Sequence, residues 1–117
     1  MSKKESIKLL PGEFLLHEGE ESFEMYYLQS GTLSVLKRKG DGVNQIGTII
    51  AGELVGEMSF LDKQPRSASV KAVTESVLVI IPHEKLDATL EVLPKWFTAL
   101  LNTLLDRLRK ANARIRI

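Results

Sequence analysis

From Leu9 to Ile81 the chain alternates short apolar runs with glycines: EFLLHEG, FEMYYLQSG, TLSVLKRKGDG, NQIGTIIAG and ELVG. Runs of this length, closed by glycine at nearly even spacing, predict an all-β sandwich or barrel. Within TLSVLKRKGDGVNQIGTII, Leu33 and Val35 alternate with polar neighbours, Gly40-Asp41-Gly42 supplies a turn, and a second run follows from Gln45 to Ile50. This is the pattern of a β-hairpin. SASVKAV and VLVII give two more strands, the second apolar at every position and so expected to be buried on both faces. Pro82 ends it.

Beyond Pro82 the apolar period changes from two to 3.6. PHEKLDATLEVL places Leu86, Leu90 and Leu93 on one helical face, and Pro94 both closes that helix and suits the first turn of the next. The final stretch, KWFTALLNTLLDRLRKANARIRI, carries Phe97, Leu101, Leu104, Leu108, Ala111 and Ile115 at spacings of four, three, four, three and four. That is a heptad seam. Leu100, Leu105 and Trp96 lie outside it and give the helix a second apolar surface. One face is expected to pack on the β-domain and the other on a partner helix, making a homodimer. The other reading is a wide stripe that serves only the domain's own core.

A chain of 117 residues holds one domain with a real core, here expected to span 1–117 with a β-roll over about 9–81 and a helical segment over about 82–115. Sixteen basic against fifteen acidic residues leave a net charge of +1, which does not fit a surface built to hold nucleic acid. The basic end of the last helix reads as a solvated terminus whose cations offset the helix dipole. With no cysteine there is no disulfide framework, thiolate nucleophile or zinc-thiolate site, and a reducing cytoplasm suits the chain. The longest strongly apolar run is far below the ~20 residues of a membrane span, and MSKKESIKLL lacks the apolar region of a signal peptide. Neither export nor membrane insertion is expected. His17 and His83 are the only histidines, too few for a histidine-based metal centre, and no nucleophile stands beside a base. No catalytic residue, metal or cofactor is assigned.

The chemistry concentrates in GEMSFLDKQPRSA, residues 56–68, where Glu57 and Arg66 stand nine positions apart and Pro65 stiffens the chain before the arginine. A guanidinium offers paired N–H donors in a fixed plane, the geometry a phosphate anion accepts best. A short helical turn after Gly56 would add backbone N–H donors, with small Ser59 admitting close approach and Ser67 adding a hydroxyl. Glu57 at the start of the loop is an acceptor suited to a ribose hydroxyl. The same pair also reads as an ion pair across an empty loop. Asp62 and Lys63 are opposite charges whose directions the sequence leaves open.

The spacing in VGEMSFLDKQPRSA resembles the phosphate-binding cassette of cyclic nucleotide-binding domains. Upstream, GEFLLHEGEESFEMYYLQSGTLSV is similar to the family's opening, with Gly12, Gly19, Tyr27 and Gly31 in place, and IIAGELVGE to its approach to the cassette. The match runs over about residues 7–113, and the chain departs from the common pattern in Val55 for an aromatic, Ser59 for alanine and Phe60 for leucine. The resemblance implies a mainly β fold, a jelly roll or double-stranded β-helix with C-terminal helices. It implies that Arg66 binds the cyclic phosphate and Glu57 the ribose 2′-hydroxyl, with Gly56, Met58, Ser59 and Ser67 giving backbone or hydroxyl contacts. Asn112 on the last helix is the match for a residue that reaches the purine. Ser67, where threonine tends to accompany cyclic GMP, points to cyclic AMP ahead of cyclic GMP as the ligand. The expected function is a regulatory sensor that relays occupancy through its last helix to a downstream protein. A ligand-free interaction module of the same fold is the alternative.

Overall fold

The computed structural model describes residues 5–115, and the side chains of residues 62, 86, 109 and 112–115 lie outside that description. The elements follow in the order β1 (Ser6–Leu9), β2 (Phe14–Leu16), β3 (Met25–Ser30), β4 (Thr32–Lys39), β5 (Gly42–Ile50), β6 (Leu54–Val55), α1 (Glu57–Asp62), β7 (Ser69–Ala72), β8 (Ser76–Ile81), α2 (Glu84–Val92) and α3 (Lys95–Ile115). The strands form two antiparallel sheets, ordered β1-β8-β3-β6 and β2-β7-β4-β5, so that sequence neighbours repeatedly fall in different sheets. This is a jelly roll followed by helices.

The core lies between the sheets. Leu9, Tyr26, Leu28, Val55 and Leu78 come from one, and Leu16, Leu33, Val70 and Ala72 from the other. Leu28, Leu33 and Leu78 are wholly buried, and truncating such a leucine to alanine costs about 2–5 kcal/mol. The predicted hairpin is β4 and β5, paired from Lys39↔Gly42 around a turn at Gly40-Asp41. Its second strand starts at Gly42, earlier than the apolar pattern indicated, because backbone pairing continues through the polar residues next to the turn. Gly31, between β3 and β4, has φ +99°, and a Cβ there would lie 2.6 Å from the Glu75 carbonyl. Only glycine meets both conditions.

Two apolar patterns resolve differently from the expectation. In β8, Ser76 and Leu78 are buried, whereas Val77, Val79, Ile80 and Ile81 are only half-buried. The strand is central in its sheet, and one face alone meets the opposing sheet. The seam of α3 divides into two stripes of four-residue spacing. Phe97, Leu101 and Leu105 are half-buried, and Trp96, Leu100, Leu104 and Leu108 are exposed. A straight helix drifts about 20° per heptad against a 3.5-residue repeat, and here Phe97 and Leu101 of the seam stand with Leu105 on the half-buried side while Leu100 stands with Leu104 and Leu108 on the exposed one. No helix among the described residues is long and apolar enough to cross a membrane.

Candidate ligand-binding site

A cavity of about 220 Å³ opens where α1, the start of β7 and α3 meet the β-roll. Its apolar wall includes Leu16, Val35, Ile49 and Val70, and its polar wall is the segment singled out in the sequence: Gly56, Glu57, Met58, Ser59, Arg66 and Ser67. Leu108 of α3 closes one side. The structure thus brings six of the seven assigned residues to one space. The seventh, Asn112, has its backbone in α3, and its side chain lies outside the described residues.

The local chain explains this convergence. Gly56 turns left-handed at φ +78° and starts α1, whose first-turn amides have no partner within a helix. A Cβ on Gly56 would sit 2.6 Å from Arg66 Nη1. The glycine is therefore required twice, by its backbone and by the guanidinium laid against it. At the other end of α1, Lys63 adopts φ 57° and donates its N–H to the Ser59 carbonyl at 2.9 Å. Lys63, read from sequence only as a charge, serves as a left-handed helix cap. Ser59 and Phe60 are buried, so the small residue at 59 sits between the cavity and the helix packing. Val55, where the family more often has an aromatic, is a core residue paired with Tyr26.

Arg66 is only 3% exposed. Its Nε donates to Ser22 Oγ at 3.0 Å, Nη1 to the Gly56 carbonyl at 3.2 Å and Nη2 to the Glu24 carbonyl at 2.8 Å. These bonds use three of the five N–H donors of a guanidinium. Its backbone is also tied, N–H to the Glu20 carbonyl at 2.9 Å and carbonyl to the Gly19 N–H at 2.8 Å. Ser22 in turn donates to Glu20 Oε2 at 2.5 Å. That bond, above all, holds the Glu20 carboxyl below the ordinary carboxylate range, and burial opposes it. Burial lowers the pKa of Arg66, countered by Tyr26, Glu20, Glu24 and Glu57. A cation this deeply placed is held by charge-assisted bonds, and Arg66 also lines the cavity.

Glu57 is half-buried on the cavity wall, and among the described residues its carboxylate takes no hydrogen bond. The guanidinium is fastened to Ser22, Gly56 and Glu24 instead. Ser22 and Glu24 carry no signal in the sequence, because one contributes a lone hydroxyl and the other only a backbone carbonyl from a loop more than 40 positions away. His17 stacks on Phe14 at 4.8 Å, and His83 lies edge-on to Phe60 at 5.9 Å. Among the described residues no three His, Cys, Asp or Glu side chains converge on one point.

Residues 6–92 match the family model of the cyclic nucleotide-binding domain. The chain belongs to this family. It is 33% identical over 100 residues to potassium/sodium hyperpolarization-activated cyclic nucleotide-gated channel 3 of Mus musculus, covering 86% of this chain and 12% of the channel. It is 30% identical over 102 residues to a CRP-like cAMP-activated global transcriptional regulator of Mycobacterium tuberculosis, covering 86% of this chain and 46% of the regulator. Among solved structures of the family's fold, the cAMP-bound form of the EAL enzyme Bd1971 superposes with a TM-score of 0.82 at 26% identity, over 96% of this chain and 30% of that one. A cGMP-bound form of the same enzyme matches with a TM-score of 0.76. The chain spans less than half the length of either sequence relative.

Proposed function

We propose that this chain is a receptor module for a cyclic purine nucleotide, cyclic AMP ahead of cyclic GMP, and that it acts as a switch and not as a catalyst. The observation that carries the reading is the buried Arg66 lining a cavity whose wall also carries Glu57, a carboxylate that takes no hydrogen bond among the described residues. A cyclic phosphate at Arg66, supported by the amides of Met58 and Ser59 and by Ser67, puts the ribose 2′-hydroxyl toward Glu57. Gly56 admits the guanidinium that binds it. Relatives named for activation or gating by these nucleotides, and the cAMP- and cGMP-bound forms of a fold neighbour, support this choice of ligand.

In this reading residues 9–81 hold the ligand, and residues 82–115 form the lid and dimer segment of the same unit, with Asn112 reaching the base. Leu108 touches the cavity from α3, so occupancy changes what that helix contacts, which a relay requires. The exposed stripe of Trp96, Leu100, Leu104 and Leu108 is the surface offered to a second copy, and the output passes to a downstream protein. We place the module in the cytoplasm, where cyclic nucleotides act and a cysteine-free chain needs no oxidation.

One observation favours a second reading. Three protein acceptors already hold Arg66, so the fold has a use for it without any nucleotide, as in a ligand-free interaction module. Titration calorimetry with cyclic AMP and cyclic GMP separates the two. Saturable binding with cyclic AMP the tighter ligand is expected, and heat from neither nucleotide would establish the ligand-free module.

A further inference from the structure

Strand β4 contributes Val35 to the cavity and carries Lys37 two positions further on, past an irregularity in its pairing with β5 at Val35-Leu36. Val35 lines the cavity, and two residues on, the Lys37 ammonium donates to the Ser67 carbonyl at 2.6 Å. Lys37 is itself paired with Glu18 at 3.6 Å. Glu18 sits at a crossing of three segments, since its Oε1 accepts the Arg38 N–H at 2.9 Å and its own N–H donates to Ser69 Oγ at 2.8 Å. The two ends of the Arg66-Ser67 pair are therefore fastened differently. Arg66 is gripped by the backbone of Gly19 and Glu20, whereas exposed Ser67 is gripped by one side chain from another sheet strand.

We propose that Lys37, oriented by Glu18, is a positioning residue that fixes Ser67 against the phosphate and purine and so sets affinity and the preference between the two nucleotides. The inference rests on the cavity being the nucleotide site. Lys37 acts here by holding the Ser67 peptide so that its hydroxyl, the group Ser67→Ala removes, is aimed at the ligand, and its charge is already paired with Glu18. Losing it frees the Ser67 peptide while leaving the Arg66 fastening whole.

The test uses Lys37→Met, which keeps the length of the chain and removes the donor, with Lys37→Arg as the conservative rescue. In the free protein, amide shifts of Ser67 and Ala68 should move in Lys37→Met, with those of Arg66 and the thermal midpoint unchanged. By calorimetry the cyclic AMP Kd should rise about tenfold, the ratio of cyclic AMP to cyclic GMP affinity should fall, and Lys37→Arg should restore both. In a Ser67→Ala background the same substitution should change Kd by less than about twofold, because coupled residues do not add. Unmoved Ser67 and Ala68 shifts would overturn the fastening. A loss that persists undiminished in Ser67→Ala would overturn the route through Ser67 and make Lys37 a simple charge. If the wild type binds neither nucleotide, the proposed function falls and the affinity half of this inference with it, and the amide shifts alone then decide whether Lys37 positions Ser67.

Discussion

Replacing Arg66 by alanine should damage the fold as well as the site. In the sequence Arg66 reads as a loop residue placed for a ligand, but the structure buries it with three donors engaged. Alanine leaves Ser22 Oγ and the carbonyls of Gly56 and Glu24 without that donor, at about 1–3 kcal/mol for each acceptor that water cannot reach. The desolvation of the guanidinium is recovered, which brings the net loss to about 3–5 kcal/mol, the usual result of removing one partner of a buried charged group. For a domain of this size that lowers the midpoint by on the order of 10–20 °C. Urea unfolding followed by circular dichroism, without nucleotide, measures it directly. Arg66→Lys, which keeps the charge and can reach one acceptor, should recover part of the loss. A cost below about 1 kcal/mol for Arg66→Ala would refute the reasoning, because the guanidinium would then not be holding the 20–24 loop to Gly56. Affinity comparisons on this variant are meaningful only at temperatures where it is folded.

Glu57→Gln should leave stability unchanged and weaken cyclic AMP about ten- to a hundredfold, and 2′-deoxy cyclic AMP should show a similar deficit on the wild type; equal affinity for both ligands would remove the ribose role. Leu104→Glu should give monomers in sedimentation with little change in nucleotide affinity, whereas Leu108→Glu should alter both because Leu108 also lines the cavity; a wild type that is monomeric at all concentrations would refute the dimer. The Glu20 carboxyl is held below its ordinary value of 4.5 in the folded state, so its stabilisation is present above that value and is lost as pH falls through the lowered one. Urea midpoints from about pH 6 to about pH 3 should therefore fall less steeply in Glu20→Gln than in the wild type, and parallel curves would show that Glu20 does not bear on Arg66's loop.

The β-roll and the order of its strands' apolar runs were legible because alternation and glycine turns are local signals. The cassette was legible because glycine, acid, proline and arginine all lie within one short segment. What the sequence hid was everything held through the backbone or across long separations. Ser22 and Glu24 reach Arg66 from over 40 positions away, and Lys37 reaches Ser67 from 30. Lys63 looked like a charge because left-handed capping leaves no mark on a side chain. The two faces of α3 were not legible: Phe97 and Leu101 stand with Leu105 on the half-buried side and Leu100 with Leu104 and Leu108 on the exposed one, and one residue's difference in register decides which.

The structural role of Arg66, beside the one proposed for it toward the nucleotide, has a bearing on descent. A lineage that stopped using the nucleotide would still be selected to keep the arginine, since losing it unfastens the loop at Gly56, and would keep Gly56 for the same reason. Glu57 has a weaker hold on the fold: its charge is the smallest of those supporting Arg66 and its carboxylate takes no described hydrogen bond, so it is freer to drift once no sugar needs it. Among relatives of this chain, then, the acid and not the arginine is the witness to a working receptor. This sequence carries glutamate at that position.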